Sequence, residues 1–139
     1  MQKPVASLMA VGLLILTACG TGGEVEPGPV TSFEDIAGTT YERQGVGITT
    51  YLHFFEDGTV HTSSNRDLVE DRPSDIFETR FEGTTAFLHD VKGTRCADNP
   101  DDATYEIHLL ENGNLQFVAI EDPCPVRASL LPAEYTPLP

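Results

Sequence analysis

An all-β fold is predicted for this chain, and three observations predict it. Short runs rich in β-branched and aromatic residues recur along residues 39–139, with turn signals between them. The turns are spaced ~8–12 residues apart through much of the chain, and several lie between two such runs, as hairpin turns do. Short, even spacing with sequential hairpins favours a small antiparallel up-and-down meander barrel of about eight short strands.

The first 18 residues precede this predicted domain and have a different character. Residues 5–16 are a run of 12 apolar residues that follows the basic residue Lys3. A helix that spans a bilayer needs about 20 apolar residues, so this run is too short to cross one. A charged start, a short apolar core and small residues at its end are typical of a secretory signal peptide.

The end of this run, Leu16-Thr17-Ala18-Cys19, resembles the lipobox of bacterial lipoprotein precursors. The resemblance implies cleavage before Cys19 and attachment of a diacylglyceryl group to its thiol. Two or more acyl chains anchor a protein stably, whereas one chain binds marginally. The competing interpretation is an ordinary signal peptide with a chance cysteine near its end. The resemblance places the protein in the bacterial cell envelope, lipid-anchored outside the cytoplasm. Gly20 indicates the outer membrane in a Gram-negative cell, because it stands where an aspartate marks inner-membrane retention.

Charge limits the partners of the mature chain. The sequence holds 8 Lys and Arg against 22 Asp and Glu, a net charge of −14. Such a surface repels nucleic-acid phosphates and anionic headgroups, so nucleic-acid binding is excluded and membrane attachment depends on the lipid. Residues 19–31 are rich in Gly, Pro and Glu and predict a flexible tether after the lipidated cysteine. Residues 32–139 are long enough for one domain.

Two cysteines remain once Cys19 is lipidated. An even pair in an exported protein predicts a disulfide between Cys96 and Cys124. In the chain-entropy model such a bond stabilises the fold by roughly 3–4 kcal/mol. A thiol-redox role is the alternative, although the chain has no Cys-x-x-Cys motif.

The remaining elements are predicted in chain order. Ser32, the acidic residues after it and Gly38 predict a short N-terminal helix. Hairpins are predicted from residues 48–55 and 59–63, from 76–81 and 84–88, and from 105–110 and 115–120. One helical turn is predicted at residues 126–131 and a closing strand at residues 134–138.

The register of the last hairpin follows from its apolar positions. A three-residue loop that ends in a left-handed glycine pairs Leu109 with Leu115. The next inward pair is then Ile107 with Phe117, so apolar side chains share one face. The same register in the first hairpin places Leu52, Phe54 and Val60 inside.

Seven bulky residues are predicted to point into the barrel and to line a site for a small apolar ligand. They are Leu52, Phe54, Phe81, Phe87, Tyr105, Ile107 and Phe117. An eight-stranded barrel either holds one small ligand or is filled by its own side chains. A packed core therefore explains these residues at least as well as a pocket.

Three segments together resemble bacterial lipocalin-like (calycin) domains. They are a short helix with Gly38-Thr39-Thr40-Tyr41 after it, the turn at residues 55–59, and a closing segment that ends at Arg127. Lipocalins carry Gly-x-Trp on the first strand, and Thr40 stands at the tryptophan position in this chain. The resemblance implies a calycin barrel with an apolar ligand at its open end, and Arg127 packed over Tyr41.

Two patterns raise the question of a metal site. His53 lies opposite His61 on the outer face in the predicted register, but zinc or copper needs three or four ligands. The acidic loop at residues 98–102 offers oxygen ligands for calcium without the spacing of an EF-hand. Half-solvated surface histidines and a solvated loop are favoured, and neither a metal nor a cofactor is predicted.

No catalytic residues are predicted, since no serine lies in a Gly-x-Ser-x-Gly frame. An enzyme would need a cleft that brings His89 or His108 beside a buried acid. The predicted function is a lipid-anchored, extracytoplasmic, lipocalin-like lipoprotein that binds a small apolar ligand. The alternative is a non-enzymatic envelope interaction or inhibitor lipoprotein with a filled core, whose acidic loops contact an envelope protein.

Overall fold

The computed structural model describes residues 26–45, 47–93, 96, 99 and 102–139. The predicted signal peptide, Cys19 and most of the tether lie outside these residues. The strands are β1 (Gly28–Pro29), β2 (Thr40–Arg43), β3 (Tyr51–Phe54), β4 (Thr59–Ser63), β5 (Asp75–Glu82), β6 (Thr85–Lys92), β7 (Ala103–Leu109), β8 (Leu115–Glu121) and β9 (Glu134–Pro137). The helices are two 3-10 turns, Phe33–Asp35 and Arg66–Leu68, and α1 (Pro125–Leu130).

Eight of the strands close a barrel. From β2 to β9 each strand pairs antiparallel with the next one in the chain, and β9 returns to pair with β2. The prediction of an all-β, up-and-down antiparallel barrel is therefore confirmed. β1 lies outside this ring and pairs with the end of β7, at His108 and Leu109.

The predicted hairpin registers are confirmed as well. Leu109 pairs with Leu115 and Ile107 with Phe117, around a loop whose Gly113 has a φ of +83°. In the first hairpin, Gly58 has a φ of +89°. A Cβ atom there would also lie 2.8 Å from the carbonyl oxygen of a residue on β5. Glycine is needed at this turn for both its conformation and its small size.

The middle hairpin has a different turn from the predicted one. β5 and β6 are each eight residues long and stay paired up to Glu82 opposite Thr85. The turn therefore has two residues, Gly83 and Thr84, with Gly83 at a φ of +60°. Its even length decides which side chains of β6 face the interior.

The barrel has two ends that the chain builds in different ways. We call one the turn end, because it carries the short hairpin turns at residues 55–58, 83–84 and 110–114. We call the other the loop end, since it carries the longer connections at residues 44–50, 64–74, 93–102 and 122–133.

The N-terminal segment closes the turn end. Ser32 caps the first 3-10 turn by accepting a hydrogen bond from the backbone N–H of Glu34, at 3.2 Å. The predicted N-terminal helix is thus a single 3-10 turn. Val30 before it and Ile36 after it are 2% and 1% exposed and belong to the barrel core.

Candidate functional site

The barrel interior is the first candidate site, and five of the seven residues predicted there are buried in one core. They are Leu52, Phe54, Tyr105, Ile107 and Phe117. Phe117 lies at the centre of an aromatic cluster, with its ring centroid 6.3 Å from that of Phe54, 6.2 Å from Tyr105 and 5.3 Å from Tyr135. Tyr135 is fully buried too, and sequence reasoning missed it. Its place in the predicted closing strand was the available signal.

The other two predicted residues lie elsewhere. Phe81 is half-buried at the turn end, where its ring packs edge-on against Phe33 with centroids 5.0 Å apart. The expectation that Phe87 points inward is wrong. Its neighbours Ala86 and Leu88 occupy the interior at 0% and 2% exposure, so Phe87 lies on the outer face. A two-residue turn puts Phe81 and Phe87 on opposite faces, because paired residues share a face and side chains alternate along a strand. The predicted turn at residues 82–83 has the same length, so the expectation that both rings point inward conflicts with either turn.

A small cavity remains in the barrel at the loop end. Its volume is about 50 Å³, and α1 lies over it. Leu52, Phe77, Leu131 and Tyr135 line its apolar side, while Thr62, Asp75, Asp90 and Arg127 are among its polar lining. Ligand pockets for small molecules are typically about 300–1,000 Å³, so this space suits one or two waters.

A buried ion network closes the loop end. Arg127 on α1 is 5% exposed, and its guanidinium donates to both carboxylate oxygens of Asp122, at 2.8 and 2.9 Å. It also donates to Asp90 on β6, at 2.9 Å. The hydroxyl of Tyr105 donates to Asp122 from within the barrel. The network therefore fastens α1 to β6 and to the aromatic core.

The pKa values in this network follow from burial and hydrogen bonding. Burial opposes ionisation of Asp122, but bonds from Arg127 and Tyr105 hold its pKa below the ordinary value. Burial of Asp90 raises the pKa of that carboxyl despite the guanidinium beside it. Burial and the bond to Asp122 also raise the pKa of Tyr105. Asp122 is thus the stable anion of the site, and Tyr105 stays protonated as its donor.

The predicted disulfide forms beside this network. Cys96 and Cys124 are bonded, with their Cα atoms 5.8 Å apart, and are 6% and 2% exposed. The side-chain amide of Asn99 donates to the carbonyl oxygen of Pro123, at 2.8 Å. The connection before β7 is therefore held to the start of α1. Asp98, Pro100 and Asp101 of the proposed calcium loop lie outside the described residues.

His53 and His61 face each other as the register predicted, and His61 is half-buried as expected, but His53 is buried. Residues 64–74, which we call the strap, fold over the outer face of β3 and β4. His61 donates through Nδ1 to the carbonyl oxygen of Glu70 in the strap, at 2.9 Å. His53 is only 7% exposed, and its Nδ1 lies 2.8 Å from the Thr40 hydroxyl. Burial lowers the pKa of His53, partly offset by the nearby Glu70 carboxylate.

The two other histidines each pair with a carboxylate on the outer face. His89 lies 2.9 Å from Asp102, and His108 lies 3.0 Å from Glu106. Side-chain exposure is 52% for His89 and 31% for His108. Within the described residues, no group of three or more His, Cys, Asp or Glu side chains is placed to hold a metal ion.

Comparisons with known proteins add no family to this picture. A scan against protein-family models, a search of curated proteins and a search of solved structures each return no match. In the described part of the chain, no helix has the length and apolar character needed to cross a membrane. A proposal of function therefore depends on the barrel and its side chains.

Proposed function

We propose that this protein is a lipid-anchored, non-enzymatic lipoprotein of the bacterial envelope that acts through its outer surface, as an interaction or inhibitor protein. One observation carries the proposal. The interior of the barrel is filled by its own aromatic and aliphatic side chains, and the remaining cavity of about 50 Å³ is too small for an organic ligand. A barrel with a filled interior has its outer face and its loops left for binding.

The proposed anchor agrees with the place where the chain enters the barrel. β1 pairs with the end of β7 at the turn end, so the segment that follows Cys19 joins the barrel there. A lipid on Cys19 then holds the turn end nearest the membrane, while the outer face and the loop end stay accessible to partners. The acidic composition adds no attraction to anionic headgroups, so the lipid carries the attachment.

The non-enzymatic part of the proposal is supported by how the charged groups are used. The most deeply buried acid–base set, Arg127 with Asp122 and Asp90, is satisfied by its own hydrogen bonds. Its members fasten α1, and the space that adjoins Arg127 and Asp90 is the cavity of about 50 Å³, which is too small for an organic substrate. His108 and Glu106 lie on the outer sheet face. His89 and Asp102 line an open surface groove of about 400 Å³, but Asp102 is exposed, so neither histidine lies beside a buried acid.

Carriage of a small apolar ligand, as in lipocalin-like proteins, is the second candidate. The apolar side of the cavity under α1 favours it, because Leu52, Phe77 and Leu131 meet there. A ligand would require α1 to move outward. The disulfide at Cys124 and the ion pairs of Arg127 oppose that movement.

The two candidate functions are distinguished by measuring whether the purified barrel carries a bound compound. Residues 24–139, exported so that the disulfide forms, would be weighed by mass spectrometry under native and denaturing conditions. We expect a bare protein mass and no rise in melting temperature with a panel of fatty acids. An extra mass that is lost on denaturation and extracts as an apolar compound would overturn the filled-interior proposal.

Lipidation is tested separately in a bacterial host that is fed a radiolabelled or alkyne-tagged fatty acid. Label should enter the full-length protein and be lost in the Cys19→Ser variant. Cys96→Ser is the matched control, since it removes a different cysteine and should leave the label in place. Labelling that survives Cys19→Ser would overturn the proposed anchor.

A further inference from the structure

The outer wall of β5 to β8 carries a surface that the filled interior leaves unexplained. Paired residues on these strands share the outer face, because antiparallel neighbours point the same way. One row across the strands is Arg80, Phe87, Thr104 and Glu121, and the next is Glu82, Thr85, Glu106 and Val118. We call these eight residues the outer wall patch.

A stacked pair lies on the β5 and β6 side of this patch. The Arg80 guanidinium sits 4.1 Å from the centroid of the Phe87 ring, and its side chain is 55% exposed. Arg80 also lies 3.7 Å from Asp102 and 3.8 Å from Glu82. These contacts hold the half-buried Phe87 ring and the guanidinium stacked on it in one orientation on the sheet. Aromatic and arginine side chains of this kind are enriched among the residues that dominate binding energy in protein interfaces.

Aliphatic side chains extend the patch towards β8. Val118 is 41% exposed in the second row, and Ile120 is 56% exposed at the adjacent bulge. From Val118 onward, β8 pairs with β7 but has no pairing to β9 in the described residues 102–139, since that pairing ends at Leu115 and Gln116. The patch therefore ends at a short open sheet edge.

The charges around the patch are mostly negative. Glu78, Glu82, Asp102, Glu106 and Glu121 lie in or beside the patch, together with the basic residue Arg80. The whole chain carries a net charge of −14. A membrane or a nucleic acid would meet repulsion here, whereas a protein with basic residues around an apolar centre would be complementary.

We propose that the outer wall patch is the docking surface for a basic envelope protein, with Phe87 and Arg80 as its anchor. This inference rests on the proposed surface-acting function and names the surface and the chemistry of the partner. The partner presents an apolar cleft or shelf to Phe87 and Val118. Its Lys or Arg side chains pair with the acids at the edge of the patch, Glu106 and Glu82 among them.

The test uses the full-length lipoprotein in the cells that produce it. A photocrosslinking amino acid is placed at Val118, and as a control at Thr136, which faces outward on β9 on a different part of the barrel. We expect one discrete crosslinked protein from Val118 and not from Thr136. Its identification by mass spectrometry should show a basic surface, and binding of the purified pair should weaken as salt is raised.

Substitutions then test whether binding of the crosslinked partner depends on the patch residues. Phe87→Ser should weaken binding at least about tenfold, as truncation of a central interface residue does. Glu106→Lys should weaken it comparably by reversing a charge at the edge of the patch. Glu111→Lys makes the same charge change at the turn end and should leave binding unchanged. Circular dichroism shows which variants retain the fold, and Glu106→Lys, on an exposed face, keeps the test available if Phe87→Ser does not fold.

Three results would overturn the docking proposal. The first is the same crosslinked protein from Val118 and from Thr136. The second is a crosslink to a second copy of this chain or to lipid. The third is a partner whose binding is insensitive to both Phe87→Ser and Glu106→Lys. The native mass measurement tests the barrel interior, whereas the crosslink tests the outer wall patch. A bound apolar compound together with an intact Val118 crosslink overturns the filled interior alone, and a bare mass without that crosslink overturns the docking surface alone.

Discussion

The two ends of this barrel are closed by different kinds of interaction. At the turn end, the N-terminal segment inserts Val30 and Ile36 into the core, and Phe33 packs against Phe81. At the loop end, α1 is held by a disulfide and by Arg127, which bonds two buried or half-buried carboxylates. One end is closed by apolar contacts, and the other by covalent and ionic ones.

The difference shows what each kind of closure needs from the chain. An apolar plug tolerates small adjustments, because its contacts are non-directional and scale with buried area. A buried ion network is directional, and removing one member leaves the others charged without a partner. The loop end should therefore lose much more stability per substitution than the turn end.

The largest expected effect is for Arg127→Ala, which leaves Asp122 and Asp90 without their counter-ion. We expect a loss of about 3–5 kcal/mol in the free energy of unfolding. Urea unfolding at pH 7, followed by tyrosine fluorescence and circular dichroism, measures it. Arg80→Ala is the control, since its partners are exposed and its loss should stay below about 1 kcal/mol. Equal losses for the two variants would contradict the contrast between the ends.

The disulfide should have the next largest effect. Replacing Cys96 and Cys124 together by alanine should cost about 2–4 kcal/mol, the usual range for a bond that closes a loop of this size. The effect should also be local. Hydrogen exchange should quicken in α1 while amides around residues 110–114 keep their protection. A uniform loss of protection across both ends would show that the bond does not act on the loop end in particular.

At the turn end, the expected effect of a conservative change is smaller. Ile36→Val removes one methylene from a side chain that is 1% exposed, and should cost about 0.5–1.5 kcal/mol. Ile48→Val is the matched control, because Ile48 is 60% exposed and the change should be close to zero. A loss at Ile36 as large as that of Arg127→Ala would remove the distinction between apolar and ionic closure.

The smallest effect concerns the strap, a third kind of closure that covers the outer face. Burial holds the pKa of His53 below its unfolded value of about 6.5, so the unfolded chain binds more protons as the pH falls. The contribution of His53 to stability should therefore decline as the pH drops from about 7 to about 5, and His53→Gln should remove that contribution from the pH dependence. Melting temperatures across this range measure it. An NMR titration midpoint for His53 at or above about 6.5 would contradict the prediction.

The hairpins could be predicted from the sequence because their information is local. Period-two alternation and a glycine at the right place fix which residues pair, as at Leu109 with Leu115. The wrong face was predicted for Phe87, because its hydrophobicity alone suggested the interior. The even length of the turn at Gly83 and Thr84 places its ring on the outer face instead.

The features that were not predicted depend on contacts between distant parts of the chain. Asp90 and Arg127 lie far apart in sequence, and no local pattern relates an arginine on a short helix to a carboxylate on a distant strand. The strap is a largely polar and charged segment, yet Val69 within it is 1% exposed, because the segment folds back over His53 and His61. Two adjacent apolar residues in a polar segment carry too little signal to predict that packing.

The pairing of β9 with β2 has a consequence for how the chain acquires its structure. Tyr41 lies opposite Pro137, so the seam of the barrel joins segments from near the two ends of the domain. The contact order of such a seam is high, and closing a long loop carries an entropic cost before its contacts form. The barrel cannot be completed until the last strand is available. We therefore expect closure to come late, after the whole domain is available to fold, with β2 and β8 as open strands until then.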